Sequence, residues 1–280
     1  MVGQGGGGGE TPRPCVRMEP VISIDASQVT PALKSLFDPT MPTGIRCFAV
    51  LDGGNSGKIL TDDPDCPQWG YVWEADDGTL YQGGTQDRDL LARVVSMLRQ
   101  DGLVALAFRD GDPSVSLFPP DPDAGAPCLE LDRPAGSSDL SPCLDRLPVG
   151  YKVRRMDRTL LAKTPRHDEK MIRYGAIDNF LNKGLAICIM RGDEFVCEAY
   201  ADMEVMGVRE LGVTTQKGYR GQGLATIACA RLIKLCEESG CQKTYWDSAE
   251  LNLRSVAVAR RLGFRNERGY RRLAWFPPTR

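Results

Sequence analysis

The chain has 280 residues, of which 42% are apolar and 26% charged, and its formal net charge is −2. That balance fits a folded protein of one large or two ordinary domains and excludes a disordered polyelectrolyte. No apolar run approaches the roughly eighteen residues of a membrane span, and no basic-then-apolar leader is apparent, so a soluble cytoplasmic protein with no membrane partner is expected.

Five consecutive glycines at positions 5–9 mark the start, and residues 1–19 are expected to form a disordered tail. Residues 20–118 read as an α/β accessory domain, with strands at 45–51, 57–61, 69–75 and 103–109 and a helix at about 87–100. Gly83-Gly84 leads into Thr-Gln-Asp87, a helix cap and not an anion turn. Residues 119–127 and 134–148 are rich in Pro, Gly, Asp and Ser, so 119–150 is expected to be a linker. The ten cysteines include no Cys-x-x-Cys pair, and Cys47, Cys188 and Cys229 lie in apolar runs. Buried free thiols in a reducing compartment explain them, and no metal site is expected.

Residues 151–280 read as a second domain. Tyr151–Met156 is a strand, two short helices reach about Leu181, and strands follow at 185–191, 194–202 and 207–214. The run Leu211-Gly-Val-Thr-Thr-Gln-Lys-Gly-Tyr-Arg-Gly-Gln-Gly-Leu-Ala225 then joins an apolar strand to a glycine-rich turn and a helix beginning near Leu224. Glycines allow a close backbone approach and positive φ, and a helix N-terminus favours negative charge, so the turn is an anion cradle suited to phosphate. It is not a Walker loop, because no Lys-Ser/Thr pair follows Gly223. Nor is it a dinucleotide fingerprint, because Thr226 stands where the third glycine belongs. After the helix come a strand at 242–247, a helix at 251–262 closed by Gly263, and a hairpin through 270–276.

This order resembles the GCN5-related N-acetyltransferase (GNAT) superfamily over roughly residues 151–276. The matching residues are Arg220, Gly223 and Ala225 of a Gln/Arg-x-x-Gly-x-Gly/Ala signature, then Asn252 and Leu262-Gly-Phe264. Gly212-Val-Thr-Thr215, Tyr219-Arg-Gly-x-Gly-Leu-Ala225 and Trp246-Asp247 before Asn252-x-x-Ser255 resemble the branch of zwittermicin A resistance acetyltransferases, which also carries a long N-terminal half. The implied fold is α/β, a mixed sheet with helices on both faces. The GNAT domain would be preceded by an α/β half that is degenerate or accessory.

The resemblance implies an acetyl-CoA-dependent N-acetyltransferase. Val213, Thr214 and Thr215 would pair with the pantetheine arm. The amides of Arg220, Gly221, Gln222, Gly223, Leu224 and Ala225 would bind the pyrophosphate. Asn252 and Ser255 would approach the cofactor from the next helix, although a helix cap is the plainer role for Asn252. Glu210 matches the family's general base, with a strand-end carboxylate paired to Arg209 as its alternative. The tyrosine that many members use as general acid falls at Ala259, so either the thiolate leaves unassisted or Tyr245, Tyr219 or Ser255 substitutes, with Tyr245 taken as the catalytic candidate. The implied acceptor is the primary amine of a small polar molecule, including an antibiotic in a self-resistance or biosynthetic setting. The alternative is an acyl-CoA-binding sensor without turnover. A monomer or homodimer is expected.

Charge is unevenly spread. Residues 1–150 hold 11 Lys and Arg against 22 Asp and Glu, whereas residues 151–280 hold 24 against 15. Either two domains differ in their solvated faces, or the basic half binds a polyanion such as coenzyme A, helped by Lys217, Arg220, Arg260 and Arg261. The basic residues are scattered without interleaved aromatics, so no nucleic-acid partner is expected. Glu194, Glu198, Asp202 and Glu204 share the parity of Val196 and Tyr200 and are expected on one sheet face, where they would attract a cationic amine or form a solvated edge.

Overall fold

The computed structural model describes residues 20–119, 123–124 and 127–278. The tail expected over 1–19 and part of the proline-rich segment lie outside the described residues. The first half opens with a short strand, β1 (Ile22–Ile24), and one helical turn, α1 (Pro31–Lys34). The run expected as a strand at 45–51 is instead a helix, α2 (Gly44–Leu51), with seven of its eight residues buried. A continuous apolar run has no alternation to specify a half-buried strand, so burial on nearly every side leaves helix and strand indistinguishable by period.

A meander follows, β2 (Gly57–Thr61), β3 (Trp69–Glu74) and β4 (Leu80–Gly84), and with β1 it forms an antiparallel sheet in the order β1-β2-β3-β4. The helix α3 (Arg88–Leu98) begins where the Asp87 carboxylate accepts from the Leu90 amide, and it leads to β5 (Val104–Phe108).

The segment expected as a linker contains β6 (Asp123–Ala124), β7 (Cys128–Pro134) and a short helix, α4 (Ser141–Leu144). Strand β7 alternates Leu129 and Leu131 toward the apolar core with Glu130 and Asp132 on the opposite face. Its period of two is short and flanked by prolines, which is why composition alone reads it as irregular.

The second half comprises β8 (Tyr151–Arg155), then α5 (Arg158–Lys163), α6 (His167–Tyr174) and α7 (Ile177–Lys183), three helices where two were expected. Next come β9 (Leu185–Arg191), β10 (Glu194–Ala201), β11 (Val208–Thr215), α8 (Leu224–Glu238), β12 (Lys243–Ala249), α9 (Leu253–Arg261) and β13 (Arg265–Trp275). The hairpin expected at 270–276 is the latter part of β13, one long strand.

The large sheet runs β5-β13-β7-β12-β11-β10-β9-β8, with β6 also on β13. Only β11 and β12 are parallel neighbours among its described pairings. The two halves therefore exchange strands: β7 from the first half borders β12, and β13 from the second borders β5. The halves also repeat a motif, because β4-α3-β5 follows the order of β11-α8-β12 and Thr79 bridges Ala105 in parallel.

Leu131, Leu211, Ile227, Trp246 and Phe264 share the core beneath α8 and α9. The opposite face of β7, β11 and β12 carries charge and is covered by the first half. Across that boundary Arg173 pairs with Asp76, Arg268 with Asp132 at 2.7 Å, Arg271 with Asp110 at 3.2 Å and Arg272 with Asp77 at 3.4 Å. Much of the charge asymmetry is thus complementarity between halves. Among the described residues, no helix is long and apolar enough to cross a membrane.

Candidate functional site

Strands β11 and β12 pair at Val208–Lys243, Arg209–Thr244 and Glu210–Tyr245, and then part. Beyond this fork, residues 211–215 pair with β10 and residues 246–249 with β7, so their facing backbone edges are open. Gly212, Val213, Thr214 and Thr215 are only half-buried there. An extended ligand with amide groups can add to such an edge as a further strand.

The glycine-rich turn closes the wide end of the fork. Gly221 and Gly223 have φ of +82° and +78°, and a Cβ on either would meet nothing within 4 Å. The first bond of α8 in the described set runs from the Ile227 amide to the Gly223 carbonyl, so the amides from Gly221 to Thr226 precede the helical ladder. Arg220 Nε donates to the Thr215 carbonyl at 3.1 Å, and the Tyr151 hydroxyl donates to Gln222 Oε1 at 2.8 Å. Leu224 is buried and anchors the helix start, while Ala225 is half-buried. The turn is pinned from both sides, with its amides free for an anion.

The equivalent turn of the first half is closed. A Cβ on Gly84 would lie 2.3 Å from the Gln68 carbonyl, and Asp87 and Asp89 put carboxylates at the start of α3. Negative charge already occupies the place an anion would take.

Asn252 caps α9, its Oδ1 accepting from the Ser255 amide at 3.3 Å. Ser255 Oγ in turn accepts from the Trp246 indole at 3.0 Å. Both residues have structural partners at the far side of the fork. Arg260 is paired with Glu267 at 2.7 Å.

Glu210 sits at the fork, 6% exposed, and its partner is not Arg209. Arg46 of α2 grips it with two bonds, Nε to Oε2 at 2.8 Å and Nη2 to Oε1 at 2.5 Å. Arg209 instead donates to the Lys183 and Asp202 carbonyls. Arg46 also contacts Asp77 and reaches Asp247 Oδ2 at 3.1 Å. Burial works against the charge on Arg46, but Glu210 and Asp77 hold it firmly ionised. Burial also outweighs Arg46 at Asp247 and lifts its carboxyl to about 6. The Tyr270 hydroxyl donates to the other Asp247 oxygen at 2.8 Å.

Tyr245 occupies the last paired rung, and its hydroxyl donates to Glu130 Oε1 at 2.5 Å. Burial, reinforced by the Glu130 charge, pushes its pKa well above the ordinary phenol value. Ala259 is fully buried in the apolar core and faces no cleft.

The β10 carboxylates do not form the shared open face expected of them. A bulge between Phe195 and Cys197 puts Val196 in the core opposite Tyr200, breaking the parity. Glu198 bonds Lys170 at 2.9 Å and Thr164, and Asp202 bonds Arg173 at 2.9 Å and Tyr174. Glu194 accepts from Tyr219 at 2.6 Å.

Sequence reasoning missed Arg46, Asp77, Glu130 and Asp132, and took Asp247 only as part of a resemblance. A lone arginine inside the apolar run 45–51 was the available signal, since a charge in a buried run needs a partner. A cavity of about 570 Å³ opens beside the cluster, between residues 39–48 and the paired starts of β11 and β12. Tyr245, Glu130 and Asp132 line its floor.

A search of curated protein sequences finds no match. Among solved structures, a GCN5-related N-acetyltransferase-like protein from Streptococcus suis is similar at a TM-score of 0.62 and 22% identity, covering 89% of this chain and 98% of that one. A tandem GNAT protein from the clavulanic acid biosynthesis pathway gives 0.60 at 10% identity, covering 93% and 99%. A GCN5-related N-acetyltransferase from Sphaerobacter thermophilus gives 0.56 at 12%, covering 91% and 95%. At these identities the likeness is one of fold, and the tandem protein matches the two-part α/β arrangement. The family model for GNAT acetyltransferases matches residues 129–273, more than half of the chain, beginning inside β7. The chain belongs to the GNAT acetyltransferase family.

Proposed function

We propose that this protein is an acetyl-CoA-dependent N-acetyltransferase acting on the primary amine of a small molecule. The observation that carries it is the fork of β11 and β12, open from the glycine cradle down to Glu210, Tyr245 and Asp247, with a cavity along the paired strand starts that reaches the same Tyr245. Acetyl-CoA supplies the activated thioester when bound. The open edge at Val213–Thr215 offers backbone groups to its amide-bearing arm, and the amides from Gly221 to Ala225 suit its pyrophosphate.

Asp247 is the proposed proton acceptor from the amine. Glu210 has both oxygens held by the Arg46 cation, whereas Asp247 shares a single Arg46 nitrogen, accepts a neutral hydroxyl from Tyr270 on its other oxygen and titrates at about 6, close to where a base works best. Glu210 with Arg46 then fixes the charge at the fork, and Tyr245, whose hydroxyl proton rests on Glu130, is the proposed donor to the departing thiolate. An antibiotic acceptor, in self-resistance or biosynthesis, is the finer form of this reading. It is supported by the likeness of the 212–225 and 246–255 segments to zwittermicin A resistance enzymes. We take the protein to act as a monomer or homodimer in the cytoplasm.

The test is free thiol released from acetyl-CoA across a panel of amines, with thiol matching acetylated product. A melting-temperature rise with acetyl-CoA but no thiol from any amine would instead support a non-catalytic acyl-CoA sensor. The pairing of Glu210 with Arg46 and the core position of Ala259 are the observations that favour that second reading.

A further inference from the structure

The cavity beside the fork has chemically distinct walls. One is apolar, built by Met41, Ile45 and Phe48 with Val205 and Val208. The other belongs to β7 and its neighbours. Glu130 there is saturated, accepting from the Thr43 amide at 2.8 Å, the Tyr245 hydroxyl at 2.5 Å and Arg109 at 2.6 Å. Asp132 is not. It is 7% exposed, and its Oδ2 accepts from Arg268 at 2.7 Å, but its Oδ1 has no hydrogen-bond donor in the protein. With no hydrogen-bond donor and only a cation at 3.6 Å, this oxygen recovers part of its desolvation cost, and a ligand N–H that reached it would supply the missing bond.

Lys243 Nζ stands 3.6 Å from that same oxygen, with its side chain 40% exposed. Arg109 and Arg268 complete a rim of three cations against two carboxylates. That rim repels a polycationic amine and attracts one that carries its own acid group. At the mouth, Met206 and Gly207 have φ of 49° and 74°, the paired left-handed turn that Asn-Gly suits and methionine does not. Met206 bears that strain while 59% exposed beside the cavity. Backbone strain held at the lip of a cavity points to a ligand contact.

We infer that this cavity binds an α-amino acid with an apolar side chain, its ammonium on Asp132 Oδ1, its carboxylate on Lys243 and its side chain against Met206 and Phe48. The adjacent opposite charges of Asp132 and Lys243 match those of an amino-acid zwitterion. Asp132 is a docking residue. Tyr245 faces it across the β7–β12 register, and Asp247 lies two residues farther along β12 toward the open fork. What happens to the bound amine rests on the transferase reading.

The test is calorimetric titration, in the presence of coenzyme A, of leucine and phenylalanine against their decarboxylated counterparts, isopentylamine and phenethylamine, and against spermidine. The amino acids are expected to bind at least about tenfold more tightly than the plain amines. Lys243→Met should erase that ratio and Lys243→Arg retain it. Met206→Asn should raise the melting temperature while weakening phenylalanine binding. Equal or tighter binding of spermidine or the plain amines, no binding of either amino acid, or a ratio unmoved in Lys243→Met overturns the inference. Amino-acid binding without thiol release from acetyl-CoA would sink the transferase reading and leave the cavity's occupant standing. Thiol release with spermidine but not leucine would do the reverse.

Discussion

Arg46 is the residue on which the site turns, because a single guanidinium balances Glu210, Asp77 and Asp247. Removing one partner of a buried ion pair leaves the other uncompensated, so Arg46→Met should cost about 3–5 kcal/mol in urea unfolding at neutral pH. Asp247 has the opposite sign. Its folded carboxyl titrates at about 6, against roughly 3.9 in an unfolded chain. Between those values the folded state holds the extra proton, so this group's stabilising contribution is complete below about pH 4 and is lost as pH rises to about 6. Asp247→Asn should therefore match the parent near pH 4 and exceed its stability at pH 7, by up to about 3 kcal/mol. If Asp247 is the base, the same variant loses activity, and the parent's kcat/KM rises through a pKa near 6. Denaturant titrations at the two pH values and a pH–rate profile check both halves of this expectation. Glu210, and Asp247 as part of a resemblance, were read from the sequence, and Arg46 in its apolar run was a signal left unused, but their meeting with Asp77 was not legible because residues 46, 77, 210 and 247 come together only through the fold.

The elements divide along the same line. The cradle, α8, β12 and α9 were readable because their signals are local, a glycine turn at a helix start and a helix ended by Gly263. Strand β7 was not, since its place between β12 and β13 is set by pairing with strands far along the chain. Helix α2 was misread for want of any period. The cradle offers a test at this scale. Gly223 sits at φ +78° with open space before it, so Gly223→Ala should cost roughly 1–2 kcal/mol in backbone strain. Its new methyl group would also project toward the anion position. A lower melting temperature with a smaller rise on adding acetyl-CoA is the expected pair of results, read in one thermal-shift series.

At the scale of the whole molecule, one sheet runs continuously across the boundary at residue 150, so the two halves are expected to unfold together. The sheet passes from one half to the other at β13, β7 and β12, and ion pairs cross the same boundary. A fragment of residues 151–280 would lack the strand that pairs with β12 on one side and those that flank β13. It should show no cooperative unfolding transition, whereas the intact chain should unfold in a single calorimetric transition. Two resolved transitions in the intact chain would argue for independent halves. The opposite charges of the halves, read from sequence as differing solvated faces or as affinity for a polyanion, also join them through Arg173–Asp76, Arg268–Asp132, Arg271–Asp110 and Arg272–Asp77.

The exchanged strands also govern how the protein is made. Strand β7 leaves the ribosome at residue 134, and its neighbour β13 begins at residue 265. At synthesis rates of about 5–20 residues per second, β7 waits for roughly 7–26 s with an unpaired edge, and β5, finished earlier, waits longer. Unpaired edges of this kind invite pairing with other nascent chains. The geometry that encloses the cavity between the halves thus makes folding a late, long-range event, and the yield of soluble protein should fall with slower translation and rise with holding chaperones more than it tracks the stability of the finished sheet.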